Sequence, residues 1–262
     1  MNVIGIIPAR MAATRFPGKP LAPILGMPMI GHCYHRTRLA EGVARAYVAT
    51  CDDAIASYIN SIGGNIVMTA PYHNRATTRT AEAMALIERE SGTRYDVVVM
   101  VQGDEPLISP ETISATLGHF SDPRIEIVNV MSHIRTQEAF CDRNNVKVVV
   151  NNDGDALYFS REPIPSPWKG WEHLSRYMQT GIIAFRRDAL LRFNAIPESP
   201  LEQFESIDMN RILETGGRVR MVAIDELTIG VDTPDELLEA EKCLAQDIGV
   251  HRYLDNHCPP TT

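Results

Sequence analysis

Three cations in the first twenty positions are the residues best suited to chemistry. Arg10, Arg15 and Lys19 stand in the stretch Pro8-Ala9-Arg10-Met11-Ala12-Ala13-Thr14-Arg15-Phe16-Pro17-Gly18-Lys19-Pro20. The apolar run over residues 3–7 leads straight into this loop. In an α/β protein a loop after the first strand lies at the carboxyl end of the sheet, where ligands bind. Guanidinium and ammonium groups gathered there suit a polyphosphate. Two acids complement them. Asp104, in Gln102-Gly103-Asp104-Glu105-Pro106, follows five apolar residues, 97–101, the mark of a central parallel strand. It does not serve as the cap of the next helix, because Ser109 before Pro110 fills that place. Asp232, in Gly230-Val231-Asp232-Thr233-Pro234, reads by itself as a helix cap. Beside Asp104 and a cationic loop it reads as a second metal ligand. Two carboxylates with phosphate oxygens and water make a Mg2+ site.

The elements that must position these residues alternate in the manner of a doubly wound α/β sheet. Strands are expected over 3–7, 46–50, 65–68 and 97–101, and helices over 28–40, 53–62 and 80–90. Ile55, Tyr58, Ile59 and Ile62 fall on one face of the second helix. After about residue 124 the pattern turns β-rich, with strands over 125–131, 146–150, 156–160 and 181–185. The Asn151-Asn152-Asp153-Gly154 stretch signals a hairpin turn. Residues 163–171 hold three prolines and both tryptophans, and read as irregular. A helix over 200–216, a strand over 219–224 and a helix over 234–246 follow. The organisation expected is one nucleotidyltransferase domain over 1–250, with a β-rich dimerisation and acceptor subregion at about 125–185. The tail from His251 is expected to fray.

Six segments taken in order resemble a known family. They are Pro8-Ala9-Arg10, Thr14-Arg15-Phe16-Pro17-Gly18-Lys19-Pro20-Leu21, Gln102-Gly103-Asp104-Glu105-Pro106, Val146-Lys147-Val148-Val149, Ala156-Leu157-Tyr158-Phe159-Ser160-Arg161 and Gly230-Val231-Asp232-Thr233-Pro234. Together they resemble the 3-deoxy-manno-octulosonate (Kdo) cytidylyltransferases over nearly the whole chain. The resemblance implies a Rossmann-like nucleotide-diphospho-sugar transferase fold with a mostly parallel central sheet. It implies transfer of CMP from CTP to an acidic sugar, with Mg2+ and release of pyrophosphate, by a homodimer. Arg10 and Lys19 would hold the CTP phosphates with Arg15 nearby, and Gln102 would lie near nucleotide and sugar. Asp104 and Asp232 would hold Mg2+. Arg10, Lys19 and Asp104 are the expected catalytic set. CTP is the nucleotide expected, with UTP and ATP poor.

Two stretches depart from the family pattern. His73-Asn74-Arg75-Ala76-Thr77-Thr78-Arg79 stands where the family shows His-x-Ser-Gly-Thr-Glu/Asp-Arg. His73, Thr77 and Arg79 match and are expected at the cytosine and ribose; the acid is replaced by Thr78. On the acceptor side, Gln179 replaces a histidine, and Glu205-Ser206-Ile207-Asp208-Met209-Asn210-Arg211 keeps Glu205 and Arg211 but has Asp208-Met209 for Glu-Gln. Gln179, Glu205, Asp208 and Arg211 are the expected acceptor residues. Exchange of three polar groups points to an acceptor other than Kdo, another 2-keto acid sugar or a phosphonate.

Composition removes other classes. The 262 residues carry a net charge of −8, which argues against nucleic acid or an anionic membrane as partner. No apolar run approaches a membrane span, no secretory leader is expected, and a cytoplasmic location follows. The five cysteines, without a CxxC pair, suggest neither disulfides nor structural zinc. His32 and His35 read as helix residues rather than ligands, and Met209 and Met221 as packing.

Overall fold

The computed structural model describes residues 1–12, 15–173 and 175–254. Thr14 of the cationic motif and residues 255–262 of the tail lie outside the described residues. The chain gathers into two compact units, Met1–Ser114 with Thr228–Thr262, and Ala115–Leu227.

The first unit opens with β1 (Val3–Pro8), a short hairpin of β2 (Pro23–Ile24) and β3 (Met27–Pro28), and α1 (Met29–Leu39). It continues through β4 (Val43–Thr50), α2 (Asp53–Ser61), β5 (Ile66–Met68), α3 (Ala76–Ser91) and β6 (Val97–Val101). Strands β6, β1, β4 and β5 lie side by side, all parallel. Every residue of β1 and β6 is buried, as strands covered on both faces must be. Gly5 lets α1 approach closely: a Cβ there would stand 2.5 Å from the Thr37 methyl. The next helix, α4 (Pro110–Gly118), starts as expected, with the Ser109 hydroxyl taking the Thr112 N–H at 3.0 Å.

The second unit contains β7 (Ile127–His133), α5 (Gln137–Cys141), β8 (Lys147–Val150), β9 (Ala156–Ser160) and β10 (Tyr177–Arg186). It closes with α6 (Arg187–Ala195), α7 (Pro200–Glu205), α8 (Met209–Glu214) and β11 (Arg220–Ile224). Strand β10 is antiparallel to β7 and β8, and β8 to β9 across the expected turn, whereas β11 runs parallel to β7. The irregular segment is pinned by Trp171, whose ring packs edge-on against Phe140 and under the Arg176 guanidinium, 3.8 Å away. Trp168 is exposed.

The chain then returns to the first unit as α9 (Pro234–Leu244) and the single turn α10 (His251–Leu254). These pack with Ile24, Met29 and Val231 in a core that includes Leu244, Val250 and Tyr253. The described start of the tail is therefore anchored, because Tyr253 is buried against α1. His32 and His35 are likewise buried, as core histidines.

Several elements differ from the sequence expectation. Helix α3 starts at Ala76, so Thr77, Thr78 and Arg79 are helical rather than loop; Arg75 at the N-cap makes no side-chain cap, which removes the usual start signal. The helix expected over 200–216 is two helices, broken where Ser206 turns left-handed at φ +54°. Helices α5 and α6 and the β2–β3 hairpin were not anticipated.

Candidate active site

The functional side chains of the first unit meet in a pocket of about 370 Å3 at the carboxyl ends of β1 and β6. Lys19 is its centre. Gly18 at φ +76° turns the chain into a short 3-10 turn that begins at Lys19. The Lys19 ammonium donates to Asp104 Oδ2 at 2.8 Å and to Asp232 Oδ1 at 2.9 Å. Burial works against its charge, but Asp104 and Asp232 outweigh that and hold its pKa above the ordinary lysine value. Arg15 reaches the other oxygen of Asp232 at 2.6 Å. Arg10, Gln102 and Gly103 line the same pocket.

The loops that carry the acids are fixed from behind. The Val231 N–H donates to the Asp104 carbonyl at 2.9 Å, joining the two acid-bearing loops. A Cβ on Gly103 would stand 2.8 Å from Ile30 and 3.2 Å from the Pro8 carbonyl, so this loop needs glycine to lie against the first strand's end. Thr233, not Asp232, caps α9: its hydroxyl takes the Glu236 N–H at 3.3 Å. The Asp232 carboxylate is thereby left for Lys19 and Arg15. Asp52 was missed by sequence reading. It sits at the N-cap of α2 without capping it, and its carboxylate takes the Met11 N–H at 2.8 Å, next to Arg10. Only an acid at a helix start signalled it, and that signal pointed to a cap.

The opposite wall comes from the segment that departs from the family motif. His73, Asn74, Arg75, Ala76 and Arg79 line it. Thr77 is fully buried in the first turn of α3. Arg79 is buried and donates to Thr69 Oγ1 at 2.5 Å and to the His73 carbonyl at 3.5 Å.

The four expected acceptor residues all belong to the second unit. Gln179 donates to Asn129 Oδ1 at 2.7 Å. Glu205 accepts from Ser160 at 2.7 Å, Tyr158 at 3.1 Å and the Arg161 N–H at 2.9 Å. Burial opposes the Glu205 charge, yet these donors prevail and hold its pKa below the usual carboxylate range. Arg211 is 4% exposed and grips the fully buried Glu202 through two bonds of 2.6 Å, while its other amino group serves the Phe193 and Ile196 carbonyls. Met209 and Asn210 are buried beside it, and Asp208 stands at the N-cap of α8.

Asp104 and Asp232 offer hard oxygen donors on one centre, which fit a divalent cation. Among the described residues no cluster of three or more His, Cys, Asp or Glu is placed to hold a metal. Two carboxylates therefore suit an ion that shares its shell with phosphate oxygens and water. No described helix is long and apolar enough to cross a membrane.

Comparison with known proteins agrees with this geometry. A family model described as cytidylyltransferase matches residues 4–224. A 3-deoxy-manno-octulosonate cytidylyltransferase of Geobacter metallireducens is 41% identical over 248 residues, 90% of this chain and 95% of its own length. One from Rhodopseudomonas palustris is 41% identical over 244 residues, covering 92% and 96% of the two chains. The solved structure of a CMP:2-keto-3-deoxy-manno-octonic acid synthetase complexed with CTP superposes with a TM-score of 0.83 at 38% identity, over 94% of this chain and 99% of that one. A glucose-1-phosphate thymidylyltransferase structure from Bacillus anthracis shares the fold at a TM-score of 0.66 and 18% identity, over 94% of this chain and 96% of that one. The parallel sheet, the paired acids on one lysine and these matches along most of the chain place it in the 3-deoxy-manno-octulosonate cytidylyltransferase family, CTP-dependent nucleotidyltransferases of the nucleotide-diphospho-sugar transferase fold.

Proposed function

We propose that this pocket binds CTP with its triphosphate on Arg10, Arg15 and Lys19, and that the enzyme transfers CMP to the anomeric hydroxyl of Kdo or a close 2-keto acid sugar. The observation that carries the reading is the meeting of Asp104 and Asp232 on one lysine ammonium, 2.8 and 2.9 Å away, in a pocket lined by four arginines. The acceptor oxygen forms a bond to the α-phosphorus as the bond to the pyrophosphate oxygen breaks, and pyrophosphate leaves. Such a transfer asks for positioning and charge neutralisation rather than a protein nucleophile. Arg10 and Lys19 balance the charge that grows on the leaving pyrophosphate. Asp104 and Asp232 hold a divalent metal, read as Mg2+, which when bound neutralises charge on the phosphate oxygens. Gln102, on the same wall as Asp104, lies near nucleotide and sugar.

The expectation of an acceptor other than Kdo keeps two of its three residues, Gln179 and Asp208. Met209 is wholly buried, so its exchange reports packing in the second unit, and the retained Arg211 is spent on Glu202. Gln179, Glu205 and Asp208 remain the proposed acceptor residues, with Arg211 as the residue that holds their framework. The relatives that match the chain end to end are named for Kdo. The homodimer belongs to the same proposal, supported by exposed Leu157 and Phe204 in the second unit. Pyrophosphate release with CTP, Mg2+ and a panel of Kdo, other keto-acid sugars and simple phosphonates tests the reading. Kdo is expected to give the highest kcat/KM; a phosphonate ahead of every sugar, or no turnover with any acid, overturns it.

A further inference from the structure

His73 lines the pocket, yet neither of its ring nitrogens is available to a ligand. Nδ1 lies 3.0 Å from Thr78 Oγ1. The Thr78 hydroxyl also stands 3.0 Å from the Arg75 carbonyl, so it bridges that carbonyl and Nδ1. Nε2 meets the Glu82 carboxylate, which only accepts, and so Nε2–H donates to it. The ring is thus held from both sides by α3.

The same Glu82 oxygen also takes the Ala70 N–H at 3.0 Å. Arg79, one turn earlier on that helix, bonds Thr69 at 2.5 Å and the His73 carbonyl at 3.5 Å. The segment from Thr69 to His73 is therefore stitched to α3 at both ends. Two charged side chains spaced i and i+3 do the stitching. The acid absent from position 78 of the motif reaches this segment from Glu82, one helical turn further on.

We infer that Glu82 is a positioning residue for nucleotide recognition. Through His73 it fixes the wall formed by His73, Asn74 and Arg75, against which the nucleoside of CTP is read. The inference rests on the reading of this pocket as the CTP site. Glu82 itself touches no reacting atom; a loose wall weakens and blurs nucleotide choice without altering phosphate chemistry.

Calorimetric titration of CTP and of UTP, each with Mg2+, into the parent chain and three variants tests this. Glu82→Ala leaves His73 and the Ala70 N–H without an acceptor, and is expected to weaken CTP about 10-fold and to narrow the CTP-over-UTP preference. Its kcat at saturating CTP is expected to stay within about threefold of the parent, because the change falls on uniform binding. In Glu82→Gln one amide oxygen can take both hydrogen bonds, so most of the lost affinity should return. Thr78→Val removes the partner of Nδ1 and should weaken CTP in the same direction. Parental CTP affinity and parental CTP/UTP ratio in Glu82→Ala overturn the inference, as does a folded Glu82→Gln that fails as badly as the alanine variant. If Glu82→Ala does not fold, Thr78→Val decides, and parental behaviour there overturns it. A parent that binds no CTP sinks the cytidylyltransferase reading first and this inference with it.

Discussion

Two carboxylates on the Lys19 ammonium leave that trio with one excess negative charge, and Arg15 on Asp232 brings the group to neutrality. Loss of either acid upsets this balance and takes away one of the two carboxylates proposed for the metal. Asp104→Asn and Asp232→Asn are each expected to lose about 10²-fold in turnover, as with other deleted charge-stabilising groups, with the circular dichroism spectrum unchanged. Near-normal turnover at saturating CTP and Mg2+ would remove the altered residue from the metal site. Asp104 was legible in sequence because strand–helix alternation places it at a carboxyl edge, and Asp232 only in company with Asp104 and the cationic loop. Arg211 was not, since sequence alone does not separate a ligand from one half of a buried ion pair. The structure makes it the latter, so Arg211→Leu should destabilise the fold by about 3–5 kcal/mol in urea titration. The double variant with Glu202→Leu should recover much of that loss, because no buried charge is then left alone. An Arg211→Leu protein of parental stability that has lost only acceptor affinity would return Arg211 to the sugar site.

Helix α1 is pinned to α10 by a neutral histidine. His32 Nε2–H donates to the Ile24 carbonyl at 2.9 Å, and Nδ1 accepts from the Tyr253 hydroxyl at 2.9 Å. Burial pushes its pKa down from 6.5 to about 4, against the Ile24 carbonyl and with help from Arg36. The unfolded chain takes up this proton near pH 6.5 and the folded chain only near 4. The pin is therefore at full strength above about pH 6.5 and weakens as pH falls toward 4, by at most about 3 kcal/mol. Urea titrations across that window should show a shallower acid limb in His32→Gln; an unchanged limb would show that other groups set it. Most elements were legible because their signals are local: period, proline at a helix start, Ser109 as a cap. The misses have local causes too. Helix α3 starts without a capping side chain, and Ser206 adopts a backbone conformation that glycine or asparagine would have announced. Asp52 stands at the N-cap of α2 but holds the backbone beside Arg10. Asp52→Ala is therefore expected to raise KM for CTP about 3- to 10-fold while lowering Tm less than loss of a working cap does. A Tm loss with KM unmoved would restore it to capping.

The whole molecule is acidic at −8, yet Arg10, Arg15, Lys19, Arg75 and Arg79 all line the pocket proposed for CTP. Thermal shift with the four nucleoside triphosphates and Mg2+ should rank CTP first, and a clear lead for UTP or a purine would contradict the base-side wall described here. What no local signal in the sequence announced is the division of the first unit into two stretches, since only tertiary packing brings residues from 228 onward back to the start. That division governs how the enzyme is born. A ribosome delivers Lys19 and Asp104 early, then all of the second unit, and only afterwards Asp232, α9 and the Tyr253 that buttresses α1. A nascent chain that has emerged as far as residue 227 carries the second unit whole, yet a nucleotide pocket without Asp232 and without the α9 and α10 residues that pack behind it. Arrested chains of that length should show protease-resistant β structure and no retention on immobilised CTP, and retention should appear only once Asp232 and α10 clear the exit. On that expectation the catalyst stays silent until the segment from Asp232 to α10 has been made.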